Sequence, residues 1–330
     1  MDTAIAYFLL CQYGEQKFIG INNAPVVFWS ELPEGRDTDE LEEEGYILID
    51  LGGSKFDHHN LGPDNKSFSA SHLIAQYLGI EDRPEIQKLL EFARRDDLEG
   101  KGTISSDSID RAFGFSGLLM SLNKNLSGNP KRILEIVLPF LQSHYLEEYR
   151  RHEILPEEYA QLLRDGRIKE FKATHFSNQL KVIYIESDNA AMAGYLRSRA
   201  VGADLVIQRS ASGHVNFVSN QQSKLRIHKL AREVKLLEAS KQDLLLLVDS
   251  MEELEKPGRT EGLPHWFYDA RAITLQNGGV NPGDIPPTKL NYAEIEHAVK
   301  IGLNIAREEN NFKSWGNKKP RGRGRGYEVY

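Results

Sequence analysis

The sequence predicts an α/β protein. A doubly wound, mainly parallel sheet comes first, then a helical connector and a second, smaller α/β domain. Three observations carry this. Strand-like and helix-like runs alternate through roughly the first hundred residues. "YILIDLGG" (46–53) is apolar without alternation, as expected of a strand buried on both faces of a parallel sheet. After a long helical stretch, short β-rich runs return beyond Gly166.

"MDTAIAYFLLCQYG" predicts a helix, with Ile5, Phe8, Leu9 and Cys11 recurring at helical spacing and Gly14 at its end. "PVVFWS" (25–30) reads as a strand, and the acidic "DTDELEEEG" as a solvated loop or short helix. "SASHLIAQYLGI" is a helix started by Ser69 or Ser71, and "RPEIQKLLEFARRDD" another, with Pro84 in its first turn. Residues 109–165 are almost wholly helical in pattern, interrupted by Pro139 and Pro156. "LKVIYIES", "ADLVIQRS" and "HVNFVSN" are strands, with "NAAMAGYLRSRAVG" a helix between the first two and "ASG" a hairpin between the last two. "AITLQ" is a further strand. The expected domains are 1–145, a connector at 146–171, a substrate domain at 172–312 and a disordered Arg/Gly-rich tail at 313–330.

Composition narrows the function. The 330 residues suffice for two domains of ordinary size. A net charge of −7 excludes a generic polyanion binder. A single cysteine, Cys11, excludes a disulfide framework and suits a reducing cytoplasm; within "AYFLLCQYG" it reads as a small buried hydrophobe. No apolar run reaches the roughly 18 residues that span a bilayer, and no signal-peptide pattern opens the chain.

The chemistry concentrates in "LIDLGGSKFDHHN". Asp50 ends the predicted strand, and Asp57, His58 and His59 follow on the next loop. Carboxylate and imidazole are ligands for hard divalent metals, and functional groups gather at the carboxyl ends of parallel strands. Asp96 and Asp97 sit at a helix end, and Asp2 in the first helical turn. Each has a plainer reading: a polar loop rich in His, a helix stop before Gly100, a helix cap at Asp2. Their joint occurrence in sheet order favours a metal site.

That joint pattern resembles the DHH phosphoesterases, and most closely the branch of the melanocyte-proliferating-gene proteins. There a His-x-Asp helix start, of which Met1-Asp2 keeps the last two positions, leads into a run like "AYFLL", and the strand before the motif ends in Asp-x-Gly-Gly, here Asp50 to Gly53. The match covers Asp2 to about Lys101 and continues weakly through the later Gly-Gly turn. The resemblance implies a metal-dependent phosphoesterase using one or two Mn²⁺ ions, with Mg²⁺ an alternative. Asp50 would bridge two metals; Asp2, His58 and Asp97 or Asp96 would complete one shell; His59 would face the phosphate. Asp57 is expected to orient His58 or the loop. Two bridged cations polarise a phosphoryl oxygen and lower the pKa of a shared water. The superfamily places one or two His and a strand before the Asp that matches Asp2, and here nothing precedes Met1. Either those residues lie upstream of the sequence given, the favoured expectation, or the site holds a single metal.

The expected substrate is a phosphodiester or phosphomonoester of a nucleotide or short oligonucleotide, bound by Arg209, His214, His265 and the Gly278–Gly279 pair. Backbone N–H groups at a Gly pair can approach a phosphate closely. Arg197, Arg199, Lys224, Arg226, His228, Lys229 and Arg232 are either an anion-binding face or a solvated helix face. Trp266 to Tyr268 either stack on a base or pack in the core. Arg321, Arg323 and Arg325, with Lys318 and Lys319, form either an RNA- or DNA-binding arm or a solubilising tail. The competing function is a nucleotide- or RNA-binding module on a degenerate scaffold, without turnover.

Overall fold

Helix α1 (Asp2–Tyr13) forms where the sequence predicts it, and Gly14 is its C-cap. Ile5, Phe8, Leu9 and Leu10 are buried, each contributing about 1.5–3 kcal/mol. The computed structural model describes residues 1–59, 68–247, 250–279 and 283–304. The chain divides into two compact units, Met1–Glu157 and Glu158–Tyr330.

The first unit is helical. After α1 come α2 (Thr38–Glu43), α3 (Ala70–Leu78) and α4 (Gln87–Leu98). Asp37 caps α2 through the N–H of Glu40, so the acidic stretch is a short helix. Then follow α5 (Ser108–Phe113), α6 (Phe115–Asn125) and α7 (Pro130–Tyr149). Pro139 lies inside α7 without ending it. The helical path continues through a π turn (Arg150–Ile154) into α8 (Leu155–Arg164), which carries Pro156 in its first turn, where a missing N–H is tolerated. The core of this unit packs α1 against α3, α4 and α7 through Phe8, Ile74, Leu90, Leu141 and Tyr145.

The expected parallel sheet is not formed among the described residues of this unit. "PVVFWS" and "YILID" form neither helix nor strand, with bends at Ser30 and at Ile49–Asp50, and no ladder joins either to a neighbour. A strand exists only as half of a pair, because its N–H and C=O groups need partners.

The second unit holds the sheet, of seven strands in the order β1-β2-β3-β4-β7-β6-β5. These are β1 (Ile168–His175), β2 (Asn178–Glu186), β3 (Leu205–Arg209), β4 (Val215–Ser219), β5 (Gly258–Thr260), β6 (Leu263–Asp269) and β7 (Thr274–Asn277). Only β2 and β3 run parallel, and α9 (Met192–Arg197) lies on the crossover between them. The other pairs are antiparallel, so the protein is α/β with a mixed, mainly antiparallel sheet. Helices α10 (His228–Lys241) and α12 (Tyr292–Leu303) pack together, and both contribute to the core that contains Phe217 and Trp266. They approach so closely that a Cβ at Gly302 would meet Leu230 Cα at 2.4 Å. A short helix, α11 (Met251–Glu255), precedes β5. No helix among the described residues is long and apolar enough to cross a membrane.

Trp266 and Tyr268 belong to the core rather than to a stacking platform, and the Trp266 indole N–H donates to buried Glu238. Lys235 on α10 is also buried. Its ammonium donates to Thr260 Oγ1 at 3.0 Å and Lys256 O at 3.5 Å. No carboxylate pairs with it among the described residues. Burial pushes its pKa down from 10.5 to about 8. The folded state then binds fewer protons than the unfolded chain between those values, so stability rises with pH across that window. The charged form costs roughly 3 kcal/mol. Urea unfolding at pH 7.5 and pH 10 is expected to show this rise, and Lys235→Met to abolish it.

Candidate metal centre

Asp50 sits where the apolar segment turns, with φ of 56°. Left-handed backbone is unusual for a residue with a side chain, although Asp tolerates it better than most. The turn is held by Asp50 N–H donating to Phe56 O at 3.1 Å. Gly52 and Gly53 follow, both left-handed. A Cβ at Gly52 would meet the Leu32 side chain at 2.7 Å, so this corner needs glycine both for its φ and for its space. Phe56 anchors the loop in the core, edge-on to Tyr77 at 5.3 Å.

Asp57 ties the loop internally. Its Oδ2 accepts from Gly53 N–H at 2.7 Å and its Oδ1 from His59 N–H at 2.9 Å. Both oxygens are therefore engaged in shaping the loop that presents His58 and His59. This is a positioning role.

His58 is the centre of the cluster. Its Nδ1 lies 3.1 Å from Asp50 Oδ1, and its Nε2 lies 3.0 Å from Asp97 Oδ2. The His58 side chain is 7% exposed. The contact with Asp50 is close but lacks hydrogen-bond geometry: Asp50 Oδ1 and His58 Nδ1 are both buried without a hydrogen-bond partner. Asp2 completes the second half of the group. The donor atoms of Asp2, His58 and Asp97 lie within 4.8 Å of one another, as do those of Asp50, Asp57, His58 and His59. Burial raises the pKa of Asp50, with His58 opposing and Asp2 adding. Burial also raises that of Asp97, with Asp2 again adding. Neighbouring negative charge and poor solvation disfavour both carboxylates as bare anions.

His59 stands apart: its side chain is 65% exposed, with Nε2 3.5 Å from Asp50 Oδ1 and its ring 4.2 Å from that of His58. The alternative between Asp96 and Asp97 resolves geometrically. One position apart on α4, they point differently. Asp97 faces His58, while Asp96 accepts from Ser116 Oγ at 2.7 Å and lies 3.7 Å from the Met1 amine.

Asp2 also acts as a cap, but of another helix. Its Oδ1 accepts from Ser69 Oγ at 2.8 Å and Ser71 N–H at 2.9 Å, and from Ser71 Oγ; its Oδ2 accepts from Ala70 N–H at 2.7 Å. The buried carboxylate thus closes the N-terminus of α3, whose own N-cap Ser69 makes no side-chain cap bond. Ser69 and Ser71 are functional neighbours that sequence spacing cannot reveal, being 67 and 69 residues away.

The substrate candidates lie in the second unit. Strand register carries one row across the sheet: Arg209 pairs with Val215, Asn216 with Gln276 and Trp266 with Asn277. Arg209, His265 and Gly278 therefore share one end of the sheet. Gly278 N–H donates to His265 O at 2.8 Å. Gly278 and Gly279 have φ of 80° and 82°. The His265 imidazole is buried and its Nδ1 has no partner. Arg259, which the sequence reading missed, donates to Gly278 O at 2.8 Å and to Pro264 O, fixing the Gly pair. Two candidates are already engaged. His214 contacts Ser212 Oγ and Ile285 O, each at 3.0 Å, and Arg209 donates to Leu290 O. In the wider basic set, Arg232 pairs with Glu233 and Glu255, and Arg197 donates to Ala193 O and Ser219 O. The tail candidates Lys318, Lys319, Arg321, Arg323 and Arg325 lie outside the described residues.

Because Asp2 closes α3, Asp2→Ala removes a cap and leaves buried donors unpaired. Metal-free protein is expected to lose about 2 kcal/mol or more in urea unfolding. A loss seen only with added metal would make Asp2 a ligand alone.

Comparison with protein-family models, with curated proteins and with solved structures finds no significant match for this chain.

Proposed function

We propose that the protein is a metal-dependent phosphoesterase that hydrolyses a nucleotide or short oligonucleotide. The observation that carries this reading is the pair of buried, unpartnered atoms, Asp50 Oδ1 and His58 Nδ1, 3.1 Å apart. Buried polar atoms without partners are rare in folded proteins. Here they belong to a carboxylate and an imidazole, and His58 is shared by two O/N donor groups suited to Mn²⁺ or Mg²⁺, one of Asp50, Asp57, His58 and His59 and one of Asp2, His58 and Asp97.

Asp2, His58 and Asp97 would hold one ion, and Asp50 stands on the other ring nitrogen of His58, beside His59. When bound, the cation supplies Lewis acidity toward a phosphoryl oxygen and activates water. The chain's own groups do the rest. Asp57 fixes the loop and so the His58 ring. His59, exposed beside Asp50, can donate a hydrogen bond to a substrate phosphate. Within the second unit taken by itself, the Gly278–Gly279 turn and His265 offer backbone N–H groups and an imidazole that suit a phosphate. The doubly wound parallel frame belongs to this reading as well.

A second reading has its own support. Asp2 already accepts four hydrogen bonds, which leaves it a weaker ligand and favours a site that binds without turnover. Calorimetry with Mn²⁺ and assays on short oligonucleotides and p-nitrophenyl phosphoesters separate the two. The phosphoesterase predicts saturable Mn²⁺ binding and Mn²⁺-dependent hydrolysis. Asp50→Ala and His58→Ala should each reduce hydrolysis by at least a hundredfold at unchanged folding. Nucleotide binding without metal and without hydrolysis would replace the first reading with the second.

A further inference from the structure

The first unit carries two segments outside helix and strand that face a common groove. Val26–Trp29 and Ile47–Ile49 both line it, together with Ala4, Tyr7, Ile133 and Val137. Among the described residues, none of the backbone N–H groups of these two segments makes a hydrogen bond. Such groups are obligatory hydrogen-bonding groups, and a protein that leaves two rows of them open presents a template for a strand. The side chains agree. Val26, Val27, Phe28 and Tyr46 are 39%, 52%, 39% and 41% exposed, in sequence that otherwise reads as buried β. The Trp29 and Tyr46 rings meet at 5.4 Å, so the segments are already in contact at one point.

The size of the groove fits. Its volume is about 940 Å³. A six-residue strand is ~20 Å long, takes ~4.8 Å of sheet width and ~10 Å of layer thickness, and so fills roughly 950 Å³. The charge is also selective. Glu44 lines the groove, and Asp39, Glu40, Glu42 and Glu43 stand just before it on α2, with Arg36 paired to Glu40 and Glu44. This acidic end complements basic residues.

We infer that this groove is a strand-binding site, whose occupant is an extended apolar polypeptide segment with flanking Lys or Arg. The occupant adds to the backbone of Val26–Trp29 on one side and Ile47–Ile49 on the other, by β-augmentation. Main-chain hydrogen bonds set its geometry, and the walls formed by α1 and α7 take its side chains. The inference concerns polypeptide binding and stands apart from the metal reading.

The test uses the full chain and a fluorescein-labelled decapeptide of alternating Val and Ile flanked by Lys-Lys at each end. Fluorescence anisotropy should show saturable binding, and hydrogen exchange should slow at 26–29 and 47–49 when the peptide is present. The same peptide with alternate backbone nitrogens methylated should bind at least tenfold more weakly. A Val27→Pro/Leu48→Pro double variant should also lose at least tenfold. Equal binding of the methylated peptide would reduce the groove to an apolar sink and overturn the proposal. So would unchanged exchange at both segments. A dimer in light scattering whose 26–29 amides are already protected would assign the groove to a second copy and equally overturn the partner-strand proposal.

Discussion

The buried carboxylate of Asp2 is the interaction on which the first unit depends. It accepts hydrogen bonds from Ser69, Ala70 and Ser71 and so fastens the start of α1 to the start of α3. A buried carboxylate is costly without partners, and charge-assisted donors offset that cost. The N-terminus of α3 adds the favourable end of a helix dipole. The two helices pack directly on one another, so this bond sets where α1 begins and thereby where Asp2 meets the loop bearing His58.

The same carboxylate makes the centre electrostatically unbalanced. Asp2 and Asp97 present oxygens within 4.8 Å of one another around His58. At an effective dielectric near 20, two full charges at that distance repel by roughly 3.5 kcal/mol. One imidazole does not remove this, and the repulsion adds to burial, the larger cause, in raising the pKa of Asp97. Compensating positive charge would ease this arrangement, and the oxygen and nitrogen atoms of the cluster could hold a metal ion. Asp57 behaves differently because its oxygens are satisfied within the loop. Proximity alone therefore does not make a ligand; the unpartnered atoms of Asp50 and His58 are what separate them from Asp57.

Local signals in the sequence located most of these parts. Helical periodicity placed α1 and α3 nearly to the residue, whereas the apolar run before Asp50, expected as a strand of a parallel sheet, pairs with no neighbour among the described residues. What was illegible lay far apart in sequence. The bond of Asp2 to Ser69 and Ser71 has no local trace, nor does the grip of Arg259 on Gly278. β1 escaped because "IKEFKATH" carries Lys169, Glu170 and Lys172, as suits an exposed edge strand, and its turn at Phe176–Ser177 adopts positive φ without glycine. β6 escaped because Pro264 and the aromatic run hid its alternation. Asp96 and Asp97 could be told apart only once α4 fixed their directions.

The two units answer one requirement in opposite ways. In the second, every strand finds a neighbour, and the apolar runs of β2 and β3 are buried as their composition demands. In the first, equally β-like segments lie beside open space, with Val27 and Phe28 partly in solvent. β-branched and aromatic residues give little stability to an unpaired strand, because what they contribute is packing across strands. "PVVFWS" and "YILID" therefore carry a composition that makes physical sense only beside a third strand. Since Asp50 closes the second of these segments, whatever orders the groove also restrains the backbone that aims its carboxylate at His58.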